Sequence, residues 1–280
     1  MLVAPPSTRL KLAAAVLAVA TVLLAALALL TKPAEGPAAG EAAGDVAVPA
    51  AAVGSEILLP LPRARSGVSV EEALLSRKSV RAWREEPLDI EDLAAILWAA
   101  QGVTERTAWY RRTAPSAGAT YPLEVYVVVG ERGVKNGASF LPAGVYKYNP
   151  LRHSLVLVKL GDARSGLWSA SLRQEWVRSA PASLVICAVF ERTTRVYGER
   201  GERYVYMEAG HAGQNIYLMA AALNLGTVAV GAFDDAAVAE VISAEPGEAP
   251  LYIYPVGVPR EPYKGSFEKL HELFENARRG

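Results

Sequence analysis

From Met207 to Leu223 the chain reads Met-Glu-Ala-Gly-His-Ala-Gly-Gln-Asn-Ile-Tyr-Leu-Met-Ala-Ala-Ala-Leu, apolar or small on nearly every side. Such a run predicts a helix buried all round, either in a core or between subunits. Ala209, Gly210, Ala212 and Gly213 remove side-chain bulk at helical spacing, so another backbone can approach closely. Tight packing accounts for these small residues, with a direct cofactor contact as the alternative. Glu208, His211 and Gln214 are expected on one face as hydrogen-bonded structural groups. A lone His in such a helix is more often a satisfied polar residue than a ligand or base. His153 and His271 lie elsewhere, no carboxylate cluster stands at metal spacing, and no metal is expected.

The other end of the chain sets the second constraint. The nineteen residues from Leu12 to Leu30 are interrupted only by the hydroxyl of Thr21. At about 1.5 Å rise per residue they span most of a ~30 Å hydrocarbon core as a helix. Arg9 and Lys11 precede the run, whereas Lys32, Glu35 and Glu41 follow it, so the N-terminus is expected to stay in the cytoplasm. A cleaved signal peptide is the alternative, but its apolar region is usually only about 7 to 15 residues. Lys32 to Ser55 is almost entirely Ala, Gly, Pro, Val and Glu, too poor in bulky residues to form a core. The expected organisation is therefore a membrane anchor over 1–31, a flexible linker over 32–55 and one folded domain over 56–280, outside the cytoplasm.

Of the 280 residues, 29 are basic and 29 acidic, so there is no overall field to draw the chain onto nucleic acid. Its single cysteine, Cys187, sits in the apolar run Ser183 to Phe190, which reads as a buried strand. One cysteine excludes an intrachain disulfide and any zinc site of several thiolates. A thiol in apolar surroundings is also a poor nucleophile, because burial raises its pKa.

Ser69-Val70-Glu71-Glu72 places a hydroxyl three residues before a carboxylate, which predicts a helix start and a helix to about Ser76. A second helix begins near Asp89, carries Leu93, Ile96, Leu97 and Ala100 at helical spacing, and stops at Gly102. Leu123–Val129, Val145–Tyr148, Leu155–Leu160, the Cys187 run, Thr227–Val230 and Leu251–Val256 read as strands. A long segment from about Glu202 to Leu225 and a short helix from Asp234 complete the list. The mixed order predicts an α+β fold with helices around a largely antiparallel sheet.

Three stretches bear on chemistry. Ser76-Arg77-Lys78-Ser79-Val80-Arg81 packs three cations and two hydroxyls into six residues at a helix end. Guanidinium forks, ammonium charge and hydroxyl donors together match a phosphate, although a solvated helix end has the same composition. Ala114 to Pro122 is a small-residue loop entering a strand, either an ordinary loop or a backbone that lies against a flat ring. Leu225 to Asp235 carries Gly226 and Gly231, which permit close approach of backbone to a ligand. No Gly-x-Gly-x-x-Gly fingerprint occurs in it.

In order and spacing, over roughly Val68 to Arg260, these elements resemble the nitroreductase family, and above all its SagB-type azoline-dehydrogenase branch. Arg77 to Arg81 is similar to the Arg-x-Ser-x-Arg/Lys motif for the FMN phosphate and flavin edge, and Pro115 to Pro122 to the Pro-Ser-Ala/Gly-Gly-Ala loop. Tyr197 to Gly201, followed by Glu208 to Asn215, resembles a pattern of the SagB-like branch. The resemblance implies a sandwich dimer with FMN in a cleft made by both subunits. By that resemblance Arg77, Lys78 and Ser79 hold phosphate and Arg81 sits near the flavin pyrimidine. Pro115, Ser116, Ala117 and Gly118 line the ring, and a backbone amide at Gly231 or Ala232 faces N5. Three positions depart from the pattern. Ala119 replaces a familiar Asn, Val196-Tyr197 replaces the branch's Lys-Tyr pair, and the C-terminal Lys-Ser-Arg clamp is missing, with Arg260 or Lys264 as substitutes.

The expected function is an FMN-dependent oxidoreductase that passes a hydride or electron pair from a small-molecule donor to a small-molecule acceptor by alternating half-reactions. Tyr197 and Tyr121 are the candidate proton donors, with aromatic packing as the alternative role for each. Without the Lys of the Lys-Tyr pair, oxidation of peptide azolines is not expected. A second reading, from a different class, is a membrane-tethered binding or structural protein that keeps the fold without turnover.

Overall fold

The structure is a computed structural model that describes residues 52–107 and 109–280. The expected spanning run Leu12–Leu30 and most of the linker lie outside the described residues. Among the described residues no helix is long and apolar enough to cross a membrane.

Seven strands form the central sheet. Their spatial order is Glu56–Leu58, Ser154–Leu160, Gly144–Asn149, Leu123–Val129, Ala182–Ala188, Ala249–Gly257 and Gly226–Thr227. Every neighbouring pair is antiparallel. Successive side chains of a strand point to opposite faces, and here both faces are covered. Val125, Val127 and Val129 join a layer with Leu93, Ile96 and Leu97 of the helix Ile90–Gln101 and with Val205, Ala209, Ala212 and Ile216 of the helix Arg200–Ala222. Tyr126 and Val128 face Leu167, Val177, Val238 and Ile242, from the shorter helices Arg164–Ala170, Glu175–Arg178 and Asp235–Ile242. This two-sided burial is why Ala182–Ala188, which holds Cys187, is apolar throughout rather than alternating. Burial raises the Cys187 thiol far above its ordinary range.

The local signals have the expected causes. Ser69 and Glu72 form the reciprocal cap, with the Ser69 hydroxyl accepting from the Glu72 amide at 3.2 Å and the Ser69 amide donating to the Glu72 carboxylate at 2.9 Å. Gly102 ends the helix Ile90–Gln101 with its amide on Trp98 O. Asp234 caps Asp235–Ile242 by accepting from the Ala237 amide at 2.9 Å. The strand expected over Thr227–Val230 is shorter than its sequence suggested. Only Gly226–Thr227 is paired in the sheet, with a single further bridge from Val230 to Ile253.

The long helix departs most from expectation. It is not buried all round in one chain, because Tyr206, Met207, Gly210, His211 and Gln214 are exposed. Glu208 is buried, so it does not share a face with His211 and Gln214. Side chains three apart on a helix diverge by about 60°, enough to put one inside and the other out. The small residues are likewise divided. A Cβ on Gly210 would meet open space, whereas a Cβ on Gly213 would overlap the Tyr254 hydroxyl of the sheet. Tyr254 is itself buried and T-stacked on Tyr217. Gly213→Ala should therefore lower stability in urea unfolding by about 1 to 3 kcal/mol, the usual range for overpacking. Adding Tyr254→Phe, which removes the hydroxyl in the way, should recover part of the loss; an unchanged midpoint for the single variant would contradict this packing.

Candidate functional site

Residues from the three chemistry-bearing stretches gather at two places along the helix Arg200–Ala222. The cation run and the Leu225–Asp235 segment meet at the C-terminal half. Ser79 bridges Thr227, and the Val80 amide donates to Thr227 O at 2.9 Å. Tyr217 ties the two together, its hydroxyl accepting from the Ala229 amide at 2.8 Å and lying 3.0 Å from Ser79 Oγ. Either hydroxyl of that pair can be the donor. Gly226 is required at the junction, since a Cβ there would lie 2.7 Å from the Val80 side chain.

The cations in this cluster are stacked on rings rather than paired with carboxylates. Arg77 lies 5.3 Å from the Tyr217 centroid, Arg81 5.5 Å from Trp176 and Lys78 4.6 Å from Tyr263. Among the described residues none of them, nor Arg260, takes part in an ion pair. Lys78, Ser79, Arg81 and Arg260 line one open cavity of about 290 Å³, together with the carboxylate of Glu261. Gly231 and Ala232 are exposed, with Gln174 Nε2 donating to Ala232 O at 2.9 Å. Three cations against one carboxylate, none of them ion-paired among the described residues, leave a net positive charge that suits an anionic group, so the residues fit the phosphate end of a flavin nucleotide.

The second cluster surrounds the loop Ala114–Pro122 at the N-terminal half of the helix. Gly118, Ala119 and Tyr121 all have positive φ, at 58°, 54° and 44°. For the two non-glycines this conformation costs on the order of 1 kcal/mol or more each, so the surroundings must hold it. The Tyr121 amide donates to Ser116 Oγ at 2.9 Å, Arg192 donates to Tyr121 O at 3.0 Å, and the Thr120 hydroxyl meets Thr193 Oγ1 at 2.8 Å. Arg112 stacks 4.4 Å from the Tyr121 ring centroid. Tyr197, from the helix Phe190–Tyr197, presses its hydroxyl on the loop where a Cβ on Gly118 would lie 2.5 Å away. Tyr197 and Tyr121 thus belong to the same loop cluster, while Pro115 is exposed and Ser116 and Ala117 are half-buried.

Beneath this loop is a residue that the sequence reading treated only as structural. Glu208 is 3% exposed, and burial pushes its carboxyl up to about 7; the Ser116 hydroxyl, Arg112 and Gln101 beside it draw it partly back. Arg112 donates to Gln101 Oε1 at 2.9 Å, while Glu208 Oε1, Gln101 Nε2 and Arg112 Nε find no hydrogen-bond partner among the described residues. Gln101 and Arg112 were not singled out, because neither lies in a recognisable motif; only the fold brings them to Glu208. His153, by contrast, is structural, with its ring held between the Tyr148 hydroxyl and Pro60 O. Among the described residues no group of three or more His, Cys, Asp or Glu could hold a metal ion.

With the geometry in place, the kinship of the chain is decided by a match to the model of the nitroreductase family over residues 74–258. The chain belongs to the nitroreductase family. A Methanocaldococcus jannaschii protein assigned by name to the nitroreductases is 48% identical over 191 residues, covering 68% of this chain and 91% of the relative. A solved structure from Ralstonia eutropha, also assigned as a nitroreductase, superposes with a TM-score of 0.64 at 31% identity, covering 78% of this chain and 98% of that one. The microcin B17-processing protein of Escherichia coli is 31% identical over 136 residues, which cover 48% of this chain and 49% of that protein. That match carries the likeness to the SagB-type branch, and the chain spans about half of the relative's length. Nitroreductases are oxidoreductases, and the α+β sandwich found here is theirs.

Glu208 gives the site a pH dependence whose sign is fixed. Its carboxyl holds a proton more tightly folded, at about 7, than at the ordinary value of 4.5. Between those values the folded chain binds more protons than the unfolded one, so this group's contribution to stability falls as pH rises through the window and is flat above it. Glu208→Gln removes the contribution. The melting temperature of the variant relative to wild type should rise from about pH 4.5 to 7 and then level off; parallel curves would contradict the raised pKa.

Proposed function

We propose that the chain is an FMN-dependent oxidoreductase working as a homodimer, in which the cation cluster of one copy and the Ala114–Pro122 loop of the other close on one flavin. The observation that carries this reading is the set of cations Arg77, Lys78, Arg81 and Arg260, none of them in an ion pair among the described residues. A separation within one chain supports the two-copy form. Tyr217 and Glu208, one at each cluster, are nine residues apart on a single helix, about 13 Å along its axis. Both half-sites therefore belong to one rigid element and cannot fold onto each other.

In this reading Arg77, Lys78 and the Ser79 hydroxyl hold the phosphate. Arg81 stands at the pyrimidine edge, where positive charge favours the reduced, anionic form. The amide of Gly231 or Ala232 serves as the donor opposite N5. Bound FMN supplies the hydride or electron-pair chemistry, and the protein supplies binding, orientation and charge. Tyr197 and Tyr121 lie on the loop side, where an acceptor would stack. Because Val196 stands in place of a lysine, a peptide azoline is a poor candidate substrate, and a small diffusible acceptor fits better. The run Leu12–Leu30 adds the proposal that the domain is tethered outside the cytoplasm, near lipid-soluble redox partners such as quinones.

Purified protein should show a flavin spectrum that bleaches on reduction and returns in air; protein that stays colourless after incubation with FMN would contradict the reading. Arg77→Ala and Arg81→Ala should each weaken FMN binding by about one to two orders of magnitude, from loss of a charged hydrogen bond worth about 1.5 to 3 kcal/mol. Unchanged affinity in both would remove the site assignment. Protease added to intact cells should digest the folded domain, and protection until the membrane is opened would reverse the orientation.

A further inference from the structure

Two glutamates are buried among the described residues, and they differ in how their charge is handled. Glu248 is held by Lys147 at 2.6 Å and by the Tyr126 hydroxyl at 2.5 Å. Glu208 has no ion pair, although the fold places it under the loop that the flavin reading assigns to the ring. Burial without an ion pair pushes a carboxyl toward its neutral form, in which it holds a proton. Its surroundings are nevertheless built to receive the charge once that proton leaves. Arg112 stands beside it, and Arg112 Nε and Gln101 Nε2 are buried donors with no acceptor among the described residues.

Ser116 lies next to the Glu208 carboxyl and is half-buried, while its neighbour Pro115 and the nearby Gly118 are exposed. Ser116 Oγ is kept in place by the Tyr121 amide, and the loop around it holds Ala119 and Tyr121 in the left-handed region. The other charged groups near Arg112 are Glu124 and Arg192, which pair with each other at 2.6 Å; His211 on the same helix points to solvent.

We propose that Glu208 is the proton reservoir of the site, supplying through the Ser116 hydroxyl the proton that an acceptor takes up as it is reduced against the loop. This rests on the flavin reading above. Bound FMN, on that reading, would supply the electron pair to the acceptor as hydride. The Ser116 O–H bond breaks as its proton passes to the acceptor, and the Glu208 proton passes to Ser116 Oγ. A carboxylate is left facing Arg112, and solvent returns its proton before the next turnover. The serine is unchanged over the cycle. Glu208 therefore acts at one remove, as a positioning and proton-holding residue rather than a contact to substrate.

The test uses the full flavin-loaded chain, reduced with dithionite and mixed with two oxidants over about pH 5 to 9. 1,4-Benzoquinone takes a proton with each hydride, whereas ferricyanide takes electrons alone. In Glu208→Gln the ratio of the quinone rate to the ferricyanide rate should fall about tenfold or more, in the range expected for loss of an internal acid, and the ionisation near neutrality should vanish from the quinone profile. Ser116→Ala should lower the same ratio, and it carries the test if Glu208→Gln fails to fold. Independently of turnover, infrared spectra of the oxidised protein should show a protonated carboxyl band that titrates near neutrality in wild type and is missing in Glu208→Gln. Flavin retained with an unchanged ratio in both variants, or a band that persists in Glu208→Gln, overturns the proposal. Wild-type protein that binds no flavin overturns the flavin reading, and this proposal with it.

Discussion

The contact between Gly213 and Tyr254 sets the distance between the helix Arg200–Ala222 and the sheet, and the site is built out from that distance. A side chain at position 213 would push the helix off the Tyr254 ring, and both functional clusters would move with it. Tyr217, one turn further on, would lose the spacing at which its hydroxyl meets both the Ala229 amide and Ser79. Glu208, more than a turn back, would no longer lie buried under Ser116. Close packing transmits such shifts rather than absorbing them, because interiors have few voids into which a displaced group can relax.

The two ends of the helix handle charge in opposite ways. At the Tyr217 end, four cations stand without ion-pair partners among the described residues and three of them rest on aromatic faces, an arrangement stable in partial exposure and receptive to an anion. At the Glu208 end, a carboxyl is buried without a cation in contact, which favours its neutral form and the storage of a proton. One end is suited to hold a negatively charged cofactor, the other to supply what its chemistry consumes. Neither function is accessible to a chain whose helix is free to slide.

Much of this was legible in the sequence, for local reasons. The capping pair Ser69 and Glu72, the stop at Gly102 and the apolar run around Cys187 act through near neighbours in the chain, and each is found where expected. The cation run Arg77–Arg81 and the small-residue loop stood out by composition. The burial of Glu208 did not, since composition said only that the helix was small and apolar, and which face turned inward depends on Tyr254, some forty residues later. Gln101 and Arg112 were invisible for the same reason: they come from the end of a helix and from the strand Tyr110–Arg112, and meet Glu208 only in the folded chain. The truncated pairing after Thr227 was missed because its β-branched residues serve the approach of Ser79 and Tyr217 as well as the sheet.

The central claim is that the half-sites at the two ends of one helix complete each other across two copies of the chain. Subunit complementation tests it most directly. One variant carries Arg77→Ala and Arg81→Ala, the other a loop blocked by Gly118→Trp, and each alone should fail to retain FMN. When the two are unfolded, mixed in equal amounts and refolded together, half of the dimers are mixed and each mixed dimer holds one intact site, so about one site in four should bind flavin. Recovery near that level is the result the account predicts. No recovery, with mixed dimers shown to form, would contradict it and return the whole site to a single chain.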